Sequence, residues 1–338
     1  MSDMRRREFV TLLGGAAAAA SSVPLPRAAC AQQTSGRVAR IGVLLTVAKS
    51  DPEAQRRVEA FRQALQILGW SEGRNVQVDY RFGGADAGRI AAHVADLVAL
   101  NPDVIVGNST PVVTALRDAT RSIPVVFVQI IDPVGGGLVE SLARPGGNLT
   151  GFSDFEFGTS SKWLELLKEI APAATEVGVL MQHGLAPNSG FLRALEDVAA
   201  SVGVRLTAVR VRDPAEIEHG LDSFGRHTNG GLIVLPSPVA AVHRDTIIAL
   251  AARHWLRAVY PFRYFVLNGG LLSYGVDNVD LYRRGASYVD RILRGASPAD
   301  LPVQHPIKFE LAVNLKTARS LGLELPPTLL SRADEVIE

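Results

Sequence analysis

Cysteine is nearly absent from this sequence, which contains one cysteine among 338 residues. A single thiol excludes an internal disulfide framework and any metal site built from several cysteines. Neither sign of charge is in excess, since 35 basic residues face 34 acidic ones. This balance, without a basic run in the body of the chain, gives no reason to expect a nucleic-acid partner. No uninterrupted apolar stretch of about 18 or more residues occurs, so the sequence predicts no permanent membrane span.

The common catalytic and nucleotide-binding motifs are also missing. Residues 46–50, after the first predicted strand, lack the Gly-x-Gly-x-x-Gly phosphate turn of a dinucleotide-binding fold. The P-loop, the Gly-x-Ser-x-Gly elbow and the His-Glu-x-x-His zinc motif do not occur. Three glycines at 135–137 are not followed by a P-loop lysine, which favours a flexible turn. We therefore expect no catalytic site, no metal and no cofactor.

Residues 1–31 have the composition of an export signal. Arginines at 5–7 are followed by an aromatic residue, and a run of small apolar residues at 12–20 leads to an Ala-Cys-Ala end. This order predicts a signal peptide, and the paired arginines with an aromatic residue two positions later indicate the twin-arginine type. We expect cleavage after Ala31 and a mature protein in the periplasm. Lipid attachment at Cys30 is the alternative.

From residue 40 onward, short β-branched runs alternate with helical patterns. Residues 40–45 are predicted as a buried strand, and Asp51 and Pro52 then supply a helix N-cap and a first-turn proline. Strand and helix continue to alternate in this way along the chain. Such alternation predicts an α/β fold with parallel sheets and right-handed crossovers.

Three short sequences of the first half return in the second half at nearly constant spacing. They are residues 41–44 with 177–180, 104–106 with 232–234, and 126–127 with 259–260. Three matches in the same order predict two lobes of one topology.

We therefore expect two Rossmann-like lobes whose parallel sheets are joined by a multi-strand hinge, along which closure is the favoured motion. The predicted lobe boundaries place residues 38–150 and 270–298 in the N-terminal lobe. They place residues 151–269 and 299–338 in the C-terminal lobe.

Polar residues follow the predicted strands at the edge where such sheets bind ligands. Asn108, Ser109 and Thr110 precede Pro111, which opens a helix. A helix N-terminus suits a carboxylate because its N–H groups are free and its dipole is positive there. Ser109 or Thr110 could equally be only an N-cap. Ser237 repeats the arrangement in the second half.

Aromatic residues are scarce at 6%, but they cluster at the crossover (residues 152–157) and after the last strand of the second half (residues 260–265). Such rings form pocket walls or hydrophobic core. Asp132 and Asp154 are the candidates to pair with a ligand ammonium group, unless they only cap turns. The residues expected at the ligand site are Thr46, Asn108, Ser109, Thr110, Gln129, Asp132, Asp154, Phe155, Met181, Ser237, Tyr260, Phe262 and Tyr274.

Several stretches resemble a known family over essentially the whole chain. They are Ile-Gly-Val-Leu at 41–44, Asp-Pro-Val at 132–134, Arg-Pro-Gly-Gly-Asn-Leu-Thr-Gly at 144–151, Leu-Leu-Ser-Tyr-Gly at 271–275, Asn-Leu-Lys-Thr-Ala at 314–318, Pro-Pro-Thr-Leu-Leu at 326–330 and Arg-Ala-Asp-Glu-Val-Ile at 332–337. The sequence resembles ABC-transporter substrate-binding proteins of the periplasmic-binding-protein type I fold, in the branch related to tryptophan- and tyrosine-binding proteins.

The resemblance implies an extracytoplasmic protein that traps a small solute between two lobes and delivers it to an ABC permease in the inner membrane. We expect a monomer and a small carboxylated ligand, amino-acid-like, with an aromatic or branched body. Ser109 and Thr110 would hold the carboxylate and Asp132 or Asp154 any ammonium group, with Tyr260, Phe262, Phe155 and Tyr274 around the apolar body. A periplasmic enzyme or a ligand sensor on the same fold is the alternative.

Overall fold

The computed structural model describes residues 37–226 and 230–338. Val38–Glu338 form one compact unit. The predicted export signal, with Cys30 inside it, lies outside the described residues. Within the described part of the chain, no helix is both long enough and apolar enough to cross a bilayer.

The first sheet is parallel throughout. Its strands are β1 (Ala39–Leu45), β2 (Val76–Phe82), β3 (Val104–Asn108), β4 (Val125–Ile130) and β5 (Leu149–Ser153). They lie in the order β2-β1-β3-β4-β5. Strands β3 and β4 are buried from end to end, which explains their β-branched runs, because a parallel sheet is covered on both faces.

The second sheet has seven strands. They are β6 (Glu176–Gln182), β7 (Arg205–Val211), β8 (Gly231–Val234), β9 (Arg257–Tyr260), β10 (Leu272–Val276), β11 (Phe309–Asn314) and β12 (Glu335–Ile337). They lie in the order β12-β11-β10-β9-β8-β6-β7. The β10–β11 pair is antiparallel and the other pairs are parallel.

Helices connect most of these strands. They are α1 (Pro52–Ile67), α2 (Ala87–Ala99), α3 (Thr110–Ala119), α4 (Thr159–Ile170), α5 (Ala186–Ala199), α6 (Pro214–Gly225), α7 (Pro238–Val242), α8 (Arg244–Arg253), α9 (Arg263–Leu267), α10 (Asn278–Leu293), α11 (Leu315–Ser320) and α12 (Pro327–Leu330), with 3₁₀ turns at Ala200–Val202 and Pro298–Asp300. Helix α1 begins as predicted, because the Asp51 carboxylate accepts a hydrogen bond from the Glu53 amide and Pro52 occupies the first turn.

The two sheets share one topology, so the prediction of two similar lobes is confirmed. The order β2-β1-β3-β4-β5 corresponds strand by strand to β7-β6-β8-β9-β10. The three repeated sequences lie on equivalent strand pairs, β1 with β6, β3 with β8 and β4 with β9. The carboxyl ends of equivalent strands therefore provide equivalent positions for ligand contacts.

The chain passes between the lobes at three places: after β5, between β10 and α10, and before β11. The predicted boundaries differ from the sheets at two points. Strand β5 lies wholly in the first sheet although the boundary divides it at residue 150, and β10 belongs to the second sheet although it was assigned to the N-terminal lobe. Spacing along the sequence does not show which sheet a strand joins.

The segment that returns to the second lobe first runs along the edge of the first sheet. The Thr150 hydroxyl donates to the Leu301 carbonyl at 2.5 Å, and the amide of Gln304 donates to the Gly151 carbonyl at 3.0 Å. Residues 301–304 therefore contact the first lobe, whereas the predicted boundary placed them in the second.

Candidate functional site

A cavity lies between the two sheets, at the carboxyl ends of β1, β3 and β4 on one side and of β6, β8 and β9 on the other. It encloses about 470 Å³ of space, counting the open solvent at its mouth. The lining residues are Thr46, Val47, Arg57, Asn108, Ser109, Thr110, Pro111, Gln129, Ile131, Asp154, Leu185, Pro236, Ser237, Pro238, Ala241, Phe262 and Tyr264.

The first-lobe wall is polar and is tied together by buried hydrogen bonds. The amide oxygen of Asn108 accepts from the hydroxyl of Thr46 at 2.7 Å and from its backbone N–H at 3.2 Å. The Asn108 amide nitrogen donates to the Gln129 side-chain oxygen at 2.6 Å. These three side chains come from the ends of three strands, and their mutual bonds fix the wall before any ligand arrives.

Ser109 stands at the N-terminus of α3 with two unusual properties. Its φ is +72°, a conformation that non-glycine residues adopt only under constraint. Its hydroxyl is buried and makes no hydrogen bond within residues 37–226 and 230–338. The N-cap interpretation of Ser109 is therefore wrong, because its side chain makes no capping bond to the described helix.

Ser237 occupies the equivalent position after β8 but plays a different part. Its hydroxyl oxygen accepts the Ala240 amide at 3.1 Å and so caps α7. The two equivalent serines thus have different roles. The Ser237 hydroxyl caps a helix, whereas the Ser109 hydroxyl lines the cavity without a hydrogen-bond partner among the described residues.

Asp154 lies where the chain first leaves the first sheet. Its carboxylate accepts the Phe155 amide at 2.8 Å, and its own amide donates to the Ile130 carbonyl at 3.1 Å. Burial raises the pKa of Asp154 to about 7, despite the hydrogen bonds that favour the charged form. Near neutral pH this carboxyl is poised between its two protonation states, and a nearby cation would favour the ionised one.

The second-lobe wall is apolar and aromatic. The rings of Phe262 and Tyr264 are stacked, with centroids 5.3 Å apart and an angle of 20° between them. Two guanidinium groups, those of Arg57 and Arg244, lie 5.6 Å from the centre of the Tyr264 ring. This distance allows a cation–π interaction with both.

An ion pair joins the two lobes beside the cavity. The Arg244 guanidinium of α8 donates to both carboxylate oxygens of Asp51 at 2.7 and 3.2 Å. The side chains are only 10% and 9% exposed. Asp51 begins α1 in the first lobe, so this bidentate pair can form only while the lobes are close together.

Eight of the thirteen predicted site residues line this cavity, and five do not. Met181 is buried in the core on β6. Tyr260 is also buried, and its ring stacks on Phe265 at 4.9 Å. Tyr274 stacks on Phe309 at 5.7 Å, away from the cleft. These three positions correct the predicted assignment, because a place near a strand end does not fix the direction in which a side chain points.

Asp132 and Phe155 line a different cavity, which also includes His305. The Asp132 carboxylate accepts the Gly135 amide at 2.8 Å, so it caps a turn rather than facing the interlobe cleft. Phe155 packs between Trp163 and Phe262, each 5.4 Å away by ring centroids, and so supports the aromatic wall from behind. Of the two aspartates proposed for an ammonium group, only Asp154 reaches the interlobe cavity.

Arg57 and Tyr264 are lining residues that the sequence prediction did not include. Tyr264 belongs to the aromatic cluster already noted at 260–265. Arg57 lies one helical turn before Phe61 on the buried face of α1. A basic residue at an inward helical position was the available signal, since buried arginines are rare unless paired.

The family profile of ABC transporter substrate binding proteins matches residues 40–337. The chain belongs to this family. It is 25% identical over 274 residues to a tyrosine-binding protein of Clostridioides difficile, a match covering 81% of this chain and 78% of the relative.

Two solved structures give further comparisons. A Streptococcus pneumonia ABC domain in complex with L-Trp has 27% identity and a TM-score of 0.82, covering 89% of this chain and all of the other. A ligand-free, open structure of a Clostridium difficile substrate-binding protein has 26% identity and a TM-score of 0.66, covering 89% of this chain and 99% of the other. The binding protein described here thus shares the type I periplasmic-binding-protein fold, as predicted.

Nowhere in residues 37–226 and 230–338 do three or more histidine, cysteine, aspartate or glutamate side chains meet in an arrangement that could hold a metal ion.

Proposed function

We propose that this protein is the extracytoplasmic solute-binding component of an ABC importer, and that it traps an amino acid with an aromatic or branched side chain between its lobes. The observation that carries the proposal is the cavity itself, which has a hydrogen-bonded polar wall in one lobe and stacked rings in the other. The names of its relatives agree with this ligand class, since one is a tyrosine-binding protein and another was solved with L-Trp.

The ligand would lie with its polar end on the first lobe. Its carboxylate would accept hydrogen bonds from the Ser109 hydroxyl and the free amides at the start of α3, where the helix dipole also favours an anion. Its ammonium group would pair with Asp154 and hold that carboxyl in the ionised form. Its apolar body would pack on Phe262.

We infer that the described arrangement is the closed form. The two solved relatives have nearly equal identity to this chain, yet the L-Trp complex superposes much better than the ligand-free open structure, with TM-scores of 0.82 and 0.66. Sequence divergence therefore does not account for the difference, and a rotation of one lobe against the other would produce it. The buried Asp51–Arg244 pair supports the same inference, because opening would separate its partners.

A thermal-shift screen followed by calorimetry tests the ligand class. The panel contains aromatic amino acids, branched amino acids and benzoate-type acids. A true ligand at a hundredfold excess over Kd should stabilise the protein by about 2.7 kcal/mol. Phe262→Ala should weaken binding, whereas Phe309→Ala, which removes a ring outside the cavity, should not. No shift with any member of the panel would contradict the ligand class.

We also propose export through the twin-arginine route, a monomeric mature protein and delivery to a permease rather than to a receptor. Replacing both Arg6 and Arg7 by lysine should leave the precursor in the cytoplasm, and fractionation of cells would detect this. Loss of ligand uptake in a strain lacking this protein would support the permease, and intact uptake with a lost response to the ligand would favour a sensor.

A further inference from the structure

Arg57 is a buried cation with one unpartnered donor. Its side chain is 3% exposed and lines the interlobe cavity. One guanidinium nitrogen donates to the Gln129 side-chain oxygen at 3.2 Å, and the pair with Glu53 is long, at 4.0 Å. The Nε–H group is buried and has no hydrogen-bond partner in the described part of the chain.

A buried guanidinium destabilises the folded protein unless a partner satisfies its remaining hydrogen-bond donors. A guanidinium has five N–H donors, and a buried charge is stable only when it is paired and hydrogen-bonded. Burial by itself lowers the pKa of Arg57, but the neighbouring Tyr282, Tyr264, Glu53 and Asp51 side chains outweigh this and keep the pKa above its ordinary value. The cavity wall therefore presents a positive charge with one buried donor, the Nε–H group, that no described residue accepts from.

The guanidinium is also held in a fixed place beside the α3 N-terminus. The Gln129 oxygen that accepts from Arg57 also accepts from Asn108, the residue before Ser109. The Gln129 amide nitrogen donates to Asn278 at 2.6 Å, which anchors it to the start of α10. Two underused donors, the Arg57 guanidinium and the Ser109 hydroxyl, thus line one cavity and are linked by a single short network.

We propose that Arg57 is the residue that makes this protein select ligands with a carboxylate, which it binds together with Ser109. The assignment rests on the proposed function, because it deepens the role of the same cavity. A planar guanidinium can bind both oxygens of a carboxylate, whereas a carboxamide offers one neutral oxygen and adds two N–H donors that would face a cation.

The experiment compares each carboxylate ligand with its own amide. L-tryptophan, L-tyrosine, L-leucine and benzoate are titrated by calorimetry beside their primary amides, against the wild type, Arg57→Met, Arg57→Lys and Arg62→Met. Arg62 lies on the same helix in an exposed ion pair with Glu59 and is the matched control.

We expect wild type and Arg62→Met to prefer the carboxylate over its amide by about tenfold to a hundredfold, the usual effect of a charge-assisted hydrogen bond. Arg57→Met should lower this ratio by about tenfold while changing the affinity for the amide little, and any preference that remains is the part that the α3 N-terminus supplies. Arg57→Lys keeps the charge without the planar fork, so it should show an intermediate ratio and serves as the test if the methionine variant does not fold.

The outcomes separate the two claims. If the wild type binds carboxylates and the Arg57 variants show the same ratio of carboxylate to amide affinity, the proposed role of Arg57 is overturned. The proposed ligand class would then still stand. An equal loss of affinity for carboxylate and amide would make Arg57 a structural residue and would also overturn its proposed role. If no carboxylate in the panel binds the wild type, the proposed ligand class fails and the Arg57 assignment fails with it.

Discussion

The buried ion pair between Asp51 and Arg244 should govern how tightly the closed form is held. Its atoms are 2.7 and 3.2 Å apart in a bidentate arrangement, and both side chains are about nine-tenths buried. Two unit charges about 4 Å apart attract by about 4 kcal/mol at the effective dielectric constant of a partly buried site. Desolvation offsets part of this attraction, and close charge pairs across an interface show coupling energies of about 1.5 kcal/mol or more, so about 2 kcal/mol should favour closure.

Asp51 also caps α1, because its carboxylate accepts a hydrogen bond from the Glu53 amide. The perturbation should keep this bond, so Asp51→Asn is the suitable variant. Asparagine keeps the N-cap, and only the charge is removed. If closure accompanies binding, a loss of about 2 kcal/mol in the closed form should raise Kd by up to about 30-fold. We expect the increase mainly in the dissociation rate, since opening precedes release.

The assay is calorimetry with stopped-flow dissociation on a double-mutant cycle of Asp51→Asn and Arg244→Gln. The double variant should bind no more weakly than the weaker single variant, because the pair is lost only once. Glu169→Gln is the control, as it breaks an ion pair with Arg332 inside the second lobe, and it should leave Kd unchanged. A Kd for Asp51→Asn within twofold of the wild type, or strictly additive effects, would refute the closure role.

Three further predictions concern single residues. Ser109→Gly relieves the strain of a φ of +72° and should raise the free energy of unfolding by about 1 kcal/mol. Calorimetry should show that this variant binds carboxylates more weakly. A destabilised variant would contradict the strain argument. Because burial raises the pKa of Asp154 from 3.8 to about 7, the folded protein retains a proton that the unfolded chain releases. The contribution of Asp154 to the stability of the free protein is therefore greatest below about pH 4 and falls as pH rises to 7, by at most about 1.4 kcal/mol per unit. Asp154→Asn should weaken this dependence of the free energy of unfolding on pH, measured by denaturant titrations at several pH values. An unchanged dependence would contradict the raised pKa of Asp154. Gly275→Ala would place a β-carbon on the Pro261 carbonyl oxygen and should cost about 2–3 kcal/mol, whereas Gly147→Ala, which meets no described atom within 4 Å, should change the melting temperature little.

Much of the fold was predictable because local pattern and turn chemistry agreed. The strand ends, the α1 cap at Asp51 and the internal repeat all follow from short sequences whose meaning does not depend on distant contacts. The position of the ligand cleft also followed, since parallel sheets bind ligands at the carboxyl ends of their strands. Thr46, Asn108 and Gln129 were expected there for that reason, and they line the cavity.

The parts that were missed depend on tertiary packing. Tyr260 and Phe262 lie two residues apart, yet the ring of Tyr260 is buried on Phe265 and that of Phe262 faces the cleft, because the chain leaves the strand between them. Strand β10 follows a glycine-rich turn that does not reveal its sheet. Arg57 looks like one more charge on an amphipathic helix until the packing of α1 buries it.

A crystal structure of the mature protein with the tightest-binding amino acid of the panel tests the central claim most directly. The account predicts ligand density between Ser109 and Phe262, with the carboxylate within hydrogen-bond distance of Arg57 and the ammonium group beside Asp154. Ligand density in the cavity lined by Asp132 and His305 instead, or a ligand reversed so that its carboxylate faces Phe262, would contradict it.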